Sequence, residues 1–217
     1  QSMKNKLNYY SKQFSELRAT MWSLKKAEKE FRRLFSLDSK EKVLENIDNP
    51  GSGSIDMENL KNEIAKSMER ISEIKNYLRL QKNIYLATPT GLPVRGPITS
   101  NYGKRKNPRS GEEEFHSGVD IATSSGTPVS ATADGIVSFS GWNGGSGNLV
   151  VLEHGFGFST FYAHNKMNIV QVGQKVRRGD IIGYIGSTGN ATGPHVHYEI
   201  WKDGSSVNPQ KYLEGRS

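Results

Sequence analysis

No cysteine occurs among the 217 residues, which excludes a disulfide framework and any thiolate metal site and leaves the redox compartment open. No run of about 18 apolar residues occurs either, so nothing reads as a membrane-spanning helix. Glycine is nearly missing from the first part of the chain: Gly51 and Gly53 stand alone there, and the remainder of the 23 glycines lie at or after Gly91. Histidine is missing for longer still. All five histidines (His116, His154, His164, His195 and His197) come after residue 115. Also absent are a Walker loop, a Ser nucleophile elbow and a His-Glu-x-x-His helix, which removes the commonest phosphate-binding and hydrolytic signatures.

What is present divides in two. A glycine-poor region followed by a glycine-rich one means two architectures, and the seam is "ATPTGLPVRGP" at 87–97, whose prolines and glycines no regular element could hold. The first three residues, "QSM", read like the remnant of a cleaved affinity tag and are left out of fold reasoning. The expected organisation is α+β and multidomain: a helical coiled-coil hairpin over 4–86, a linker at 87–96, and a mostly antiparallel β domain over 97–213. The formal net charge of +7 suits polyanionic surroundings such as nucleic acid or a wall polymer.

In the first region Leu7, Tyr10, Phe14, Leu17, Met21, Leu24, Phe31 and Leu34 recur at steps of three and four apart from one skip, as a heptad seam does. Met57, Leu60, Ile64, Met68, Ile71, Ile74 and Leu78 repeat the pattern after a short helix at 40–47, the turn "DNPGSGS" and an N-cap at Ser54. The spacing predicts two long helices folded into an antiparallel hairpin, with room for a protein partner or self-association. Opposite charges are interspersed along both helices, the habit of a solvated exterior, so a nucleic-acid arm is not expected.

The second region reads as short strands: "GVDIA", "GIVSFSG", "NLVVLEH", "FSTFYAH", "IIGYIG" and "HVHYEIW" are β-branched or aromatic runs between turn residues. In "GPHVHYEIW", alternation puts Val196, Tyr198 and Ile200 on one face and His195, His197, Glu199 and Trp201 on the other. "HSGVD" sets His116 and Asp120 an even step apart, on one face if they share a strand. Histidine and carboxylate suit zinc, and catalytic zinc commonly takes three protein ligands plus a water. His116, Asp120 and one histidine of "HVH" make such a set. His164 closes "FSTFYAH" at a strand end, while His154 in "LEHGFG" reads as a turn or core histidine.

These segments, with "GTPVSATADGIVSFSGW", "VGQKVRRGDIIGYIGSTGNATGPHVHYEIW" and "VNPQKYL", closely resemble the lysostaphin-type (LytM) zinc metallopeptidase family over about 97–213. The resemblance implies a small, mostly antiparallel β fold with a groove, one zinc ion, and endopeptidase action on peptidoglycan peptides at the cell envelope, on its periplasmic or extracellular side. It implies metal ligands at His116, Asp120 and His197, and non-ligand catalytic histidines at His164 and His195, without saying which of these is the general base. A membrane anchor could precede the helices. Some relatives have lost their ligands and regulate partner hydrolases, so a regulator with a covered groove is the competing expectation. "VRRGDIIGYIG" also resembles lipoyl-type hairpins, but no modifiable lysine sits at the required turn. "SNYGKR", at 100–105, resembles the family's entry into the domain and receives no catalytic role.

Overall fold

The computed structural model describes scattered residues between Lys12 and Lys29, then 57–106 and 111–213, with the side chains of 57–61 and 64 excepted. Most of the first expected seam, the helix at 40–47, the "DNPGSGS" turn and the Ser54 cap lie outside the described residues. The chain forms two compact units, Gln1–Leu78 and Arg79–Ser217.

In the first unit the described residues between 12 and 29 are helical. They are followed by helix α1 (Met57–Ala87), whose last turns belong to the second unit. The helix forms where no glycine or proline interrupts it. Its seam differs from the heptad reading. Ser67 is 7 % exposed, whereas Met68 and Leu78 are 66 % and 42 % exposed. Successive residues stand about 100° apart round a helix, so a narrow buried stripe can take in Ser67 and leave Met68 outside it. A 3.6-residue helix also drifts off a strict seven-residue repeat by about 20° per heptad.

The second unit is a β domain. Strands β1 (Ile98–Ser100), β4 (Val119–Ala122), β11 (His195–Lys202), β8 (Phe158–Asn168), β7 (Asn148–Gly155), β6 (Gly135–Trp142) and β9 (Lys175–Val176) lie side by side in that order. Strand β10 (Ile181–Ile185) joins β8 to β5 (Pro128–Ser130), and β12 (Ser205–Val207) pairs with β11. A separate ribbon joins β2 (Gly103–Lys106) to β3 (Glu113–His116). Every one of these pairings is antiparallel. A short helix α2 (Gln210–Leu213) closes the chain's described part.

The core follows from alternation. Val196, Tyr198 and Ile200 of β11 and Val119 and Ile121 of β4 are fully buried, packed with Val137, Val150, Leu152, Ile182 and Ile185. Truncating such a residue, Ile200→Ala for instance, costs about 2–5 kcal/mol. The residues between them face the other way and build the site. The segment 88–97 packs on this unit. Thr90 N–H donates to Thr132 O, Ser130 N–H donates to Pro93 O, and Val94 joins the core. Arg178 holds the end of α1, donating from Nη2 to the carbonyls of Tyr85 and Thr88 and lying 4.8 Å over the Tyr85 ring.

Candidate metal centre

Register places the first three residues. In the β4–β11 pair His197 stands opposite Asp120, so the two side chains emerge together from the face opposite the core. His116 ends β3, four residues before Asp120, and turns its ring into the same spot. His116 Nε2 lies 3.2 Å from Asp120 Oδ1 and 3.0 Å from His197 Nδ1, and His197 Nδ1 lies 2.9 Å from Asp120 Oδ1. Among the described residues these three form a group able to hold a metal ion.

The outward partners decide what the inward atoms can be. His116 Nδ1 sits 2.8 Å from the Asn101 carbonyl, which only accepts, so Nδ1 carries the proton and Nε2 turns a lone pair inward in the neutral ring. His197 Nε2 faces Glu199 Oε1 at 2.8 Å, which leaves Nδ1 as the inward lone pair. Arg105 Nη1 donates to Asp120 Oδ2 at 3.1 Å and its Nε donates to Glu114 Oε1 at 2.7 Å, so Asp120 keeps Oδ1 for the cluster. Three electron pairs thus converge within about 3 Å, and a proton or a cation must sit between them. Burial opposes charge on His197, yet hydrogen bonds with Asp120 and Glu199 raise its pKa to about 9. Burial would likewise raise Asp120, but the bonds with His116 and His197 prevail and hold it well below the usual carboxylate range.

The donor set fits zinc. A tetrahedral ion about 2.0–2.1 Å from each donor spaces them about 3.3–3.4 Å apart, a few tenths of an ångström beyond what is found here. Two imidazole nitrogens and one carboxylate oxygen are also the ligand types zinc prefers.

His164 and His195 flank this cluster. Strict alternation along β8 would return His164 to the Tyr162 face. Its φ of +63° takes the chain out of the pleat, and its ring lies 4.9 Å from that of His195 and 6.0 Å from that of His197. Such a left-handed non-glycine residue is held by its surroundings at a cost of about 1–3 kcal/mol. His164 Nδ1–H donates to Thr188 O and His195 Nδ1–H to Gly193 O, each at 2.8 Å, so both rings keep Nε2 for the site. His195 Nε2 lies 3.8 Å from Asp120 Oδ1. Burial lowers the His164 pKa to about 4, against the hydrogen bond to Thr188 O, so the ring is neutral at pH 7.

All five expected residues therefore meet, and His154 does not join them. It is buried in β7, with Nδ1 donating to Asp134 O at 2.8 Å and Nε2 facing Thr160 Oγ1 at 2.7 Å. Sequence reasoning puts Glu199 and Trp201 on the site face without giving either a task, assigns no catalytic role to the "SNYGKR" segment that holds Asn101 and Arg105, and passes over Ser117. Alternation carried the signal for Glu199. Arg105 and Asn101 become visible only once the β2–β3 pairing is known.

Comparison with known proteins agrees with this geometry. A model of peptidase family M23 matches residues 114–209. The catalytic domain of the antimicrobial peptidase lysostaphin from Staphylococcus simulans superposes with a TM-score of 0.51 at 32% identity, covering 55% of this chain and 93% of that one. The chain belongs to peptidase family M23. Among curated relatives, the DD-carboxypeptidase/endopeptidase Mpg of Neisseria meningitidis serogroup B is 46% identical over 112 residues, which are 52% of this chain and 26% of that protein. The murein hydrolase activator EnvC of Escherichia coli K12 is 41% identical over 121 residues, 56% of this chain and 28% of that protein. The chain thus spans about a quarter of the length of the curated relatives it matches. Within the M23 match fall all five site residues together with Ser117, Glu199 and Trp201, whereas Asn101 and Arg105 precede it.

Proposed function

We propose that this M23 domain is a zinc-dependent endopeptidase that hydrolyses peptide cross-links of bacterial peptidoglycan in the cell envelope. The observation that carries the reading is the completeness of the site. His116, Asp120 and His197 offer three inward donors, and His164 and His195 stand beside them with Nε2 available. In this reading the first three hold one zinc ion and the other two are catalytic. Zinc held there supplies Lewis acidity, which makes water a nucleophile at neutral pH and offsets charge developing on a carbonyl oxygen.

The chain's own residues do the rest. One flanking histidine accepts a proton from water at Nε2 and returns it to the leaving amine, a role worth about 10²–10⁴-fold. The other, in its protonated form, donates from Nε2 to the developing oxyanion, since a neutral ring with its proton on Nδ1 can only accept at Nε2. Thr188 O and Gly193 O accept from Nδ1–H and so turn Nε2 of both rings toward the site, as a base in the neutral ring and as a donor in the protonated one.

The second reading, a regulator of a partner wall hydrolase, is favoured by the likeness to an activator and by the helical arm. We read that arm as an antiparallel hairpin. Its support is the Lys25–Glu63 ion pair of 3.6 Å, which ties a residue of the first helical stretch to α1. Trp22 and Met68, both well exposed, are the apolar surface a partner would cover. Among the described residues no helix is long and apolar enough to cross a membrane.

The test is a digest of purified peptidoglycan by the zinc-loaded protein, read by mass spectrometry, with His195→Ala as control. Cross-linked muropeptides falling to monomers with the intact protein alone is the expected result, and the new termini name the bond. Intact cross-links with zinc bound would move the assignment to the regulator. Removal of residues 1–78, which leaves the second unit whole, would then raise cleavage if the arm covers the groove.

A further inference from the structure

Four histidines of the site each have one nitrogen tied outward, and in three of them the tie is a backbone carbonyl: Asn101 O for His116, Thr188 O for His164 and Gly193 O for His195. His197 differs. Its Nε2 meets the carboxylate of Glu199, two residues along the same face of β11. That carboxylate is itself held from two sides, since Ser117 Oγ–H donates to Oε1 and Trp201 Nε1–H donates to Oε2, each at 2.5 Å. The indole is steadied in turn by Phe161, whose ring lies 5.3 Å away.

We propose that Glu199 is the positioning residue for His197, fixing the tautomer that turns the Nδ1 lone pair toward the metal and strengthening Nδ1 as a donor. The proposal rests on the reading of the site as a zinc centre. A carboxylate behind a metal-bound imidazole sets ring orientation and raises basicity, and its loss typically costs 10–100-fold in metal affinity. Glutamine cannot replace it. Glu199 accepts from Nε2–H, Ser117 and Trp201, using both oxygens, whereas an amide has one acceptor and would turn N–H toward another donor. Aspartate is one methylene too short to keep all three bonds.

The experiment measures zinc dissociation constants for the full chain by competition with a chromophoric chelator at one pH. It compares wild type with Glu199→Gln, Glu199→Ala and Trp201→Phe. Melting temperatures of the zinc-free proteins report the fold, and the indole N–H resonance of Trp201 reports the carboxylate. Zinc binding should weaken about 10–100-fold in Glu199→Gln and Glu199→Ala with little change in melting. Trp201→Phe leaves the bond to His197 and should lose less. In wild type the Trp201 resonance should move when zinc is added, and in Glu199→Gln it should not. Zinc held by a folded Glu199→Gln within twofold of wild type would overturn the proposal, as would an equal loss in Trp201→Phe, which would assign the effect to packing. A wild-type chain that binds zinc tightly and cuts no peptidoglycan would sink the peptidase reading alone, whereas one that binds no zinc would sink both.

Discussion

On the buried face of β11 the Tyr198 hydroxyl meets Thr132 Oγ1 at 2.8 Å. From there contacts run through the Tyr162 hydroxyl and Thr160 Oγ1 to His154, each between 2.7 and 3.0 Å. On the opposite face of the same strand His197 meets Asp120, His116 and Glu199 at similar distances. Each network holds a buried histidine, His154 in one and His116 in the other, and the two still differ in kind. Both ring nitrogens of His154 end on neutral protein groups, Asp134 O and Thr160 Oγ1, so the buried network is complete by itself. Across the sheet the outward nitrogens are satisfied and the inward atoms are all acceptors, so that network closes only around a cation or a proton. A buried histidine is structural when both nitrogens are answered from within, and functional when one is held in place so that the other is not.

The sharpest break of this contrast is loss of a converging donor. His197→Ala or Asp120→Ala should remove bound metal and bring cross-link cleavage to background while the β domain still folds, as circular dichroism and metal analysis together would record. Retained cleavage would mean the cluster is not the centre. A step down, His164→Ala and His195→Ala should each lower the cleavage rate about 10²–10⁴-fold with zinc retained. A rate within threefold of wild type in both would leave the flanking pair without a chemical role.

The buried network should answer the other way. Thr160→Val strips the partner from His154 Nε2 and one from Tyr162, which should cost about 1–3 kcal/mol in denaturant unfolding and leave the rate per folded molecule unchanged. A change in rate would mean that the two faces are coupled through β11.

The smallest effect is one of pH. Burial lowers the His154 pKa below its ordinary 6.5, so the unfolded chain takes up a proton near pH 6.5 that the folded chain refuses. The neutral form's contribution to stability is full above pH 6.5 and falls below it, by at most about 1.4 kcal/mol per pH unit. The stability difference between wild type and His154→Gln should therefore shrink from pH 7 to pH 5.5. An unchanged difference would contradict a neutral, buried His154.

Period-two patterns made much of this readable in advance. The alternation in "HVHYEIW" assigned both faces of β11 correctly, with Tyr198 inward and His197 outward. His164 came from resemblance, because its turn out of the pleat depends on a left-handed φ that no local pattern announces. Arg105 escaped because its task is set by a ribbon pairing with Glu114 and a reach to Asp120 fifteen residues on. The α1 seam was misplaced by one residue at Met68 because apolar spacing alone does not say which neighbour a helix will meet. Such readings fail where the partner is distant in sequence or absent from it.

The most direct test of the contrast is metal stoichiometry, by inductively coupled plasma mass spectrometry, on wild type, His154→Gln and His197→Gln purified alike with zinc. One zinc per chain is expected in wild type and His154→Gln, and none in His197→Gln. Zinc kept by His197→Gln, or lost from a folded His154→Gln, would contradict that contrast.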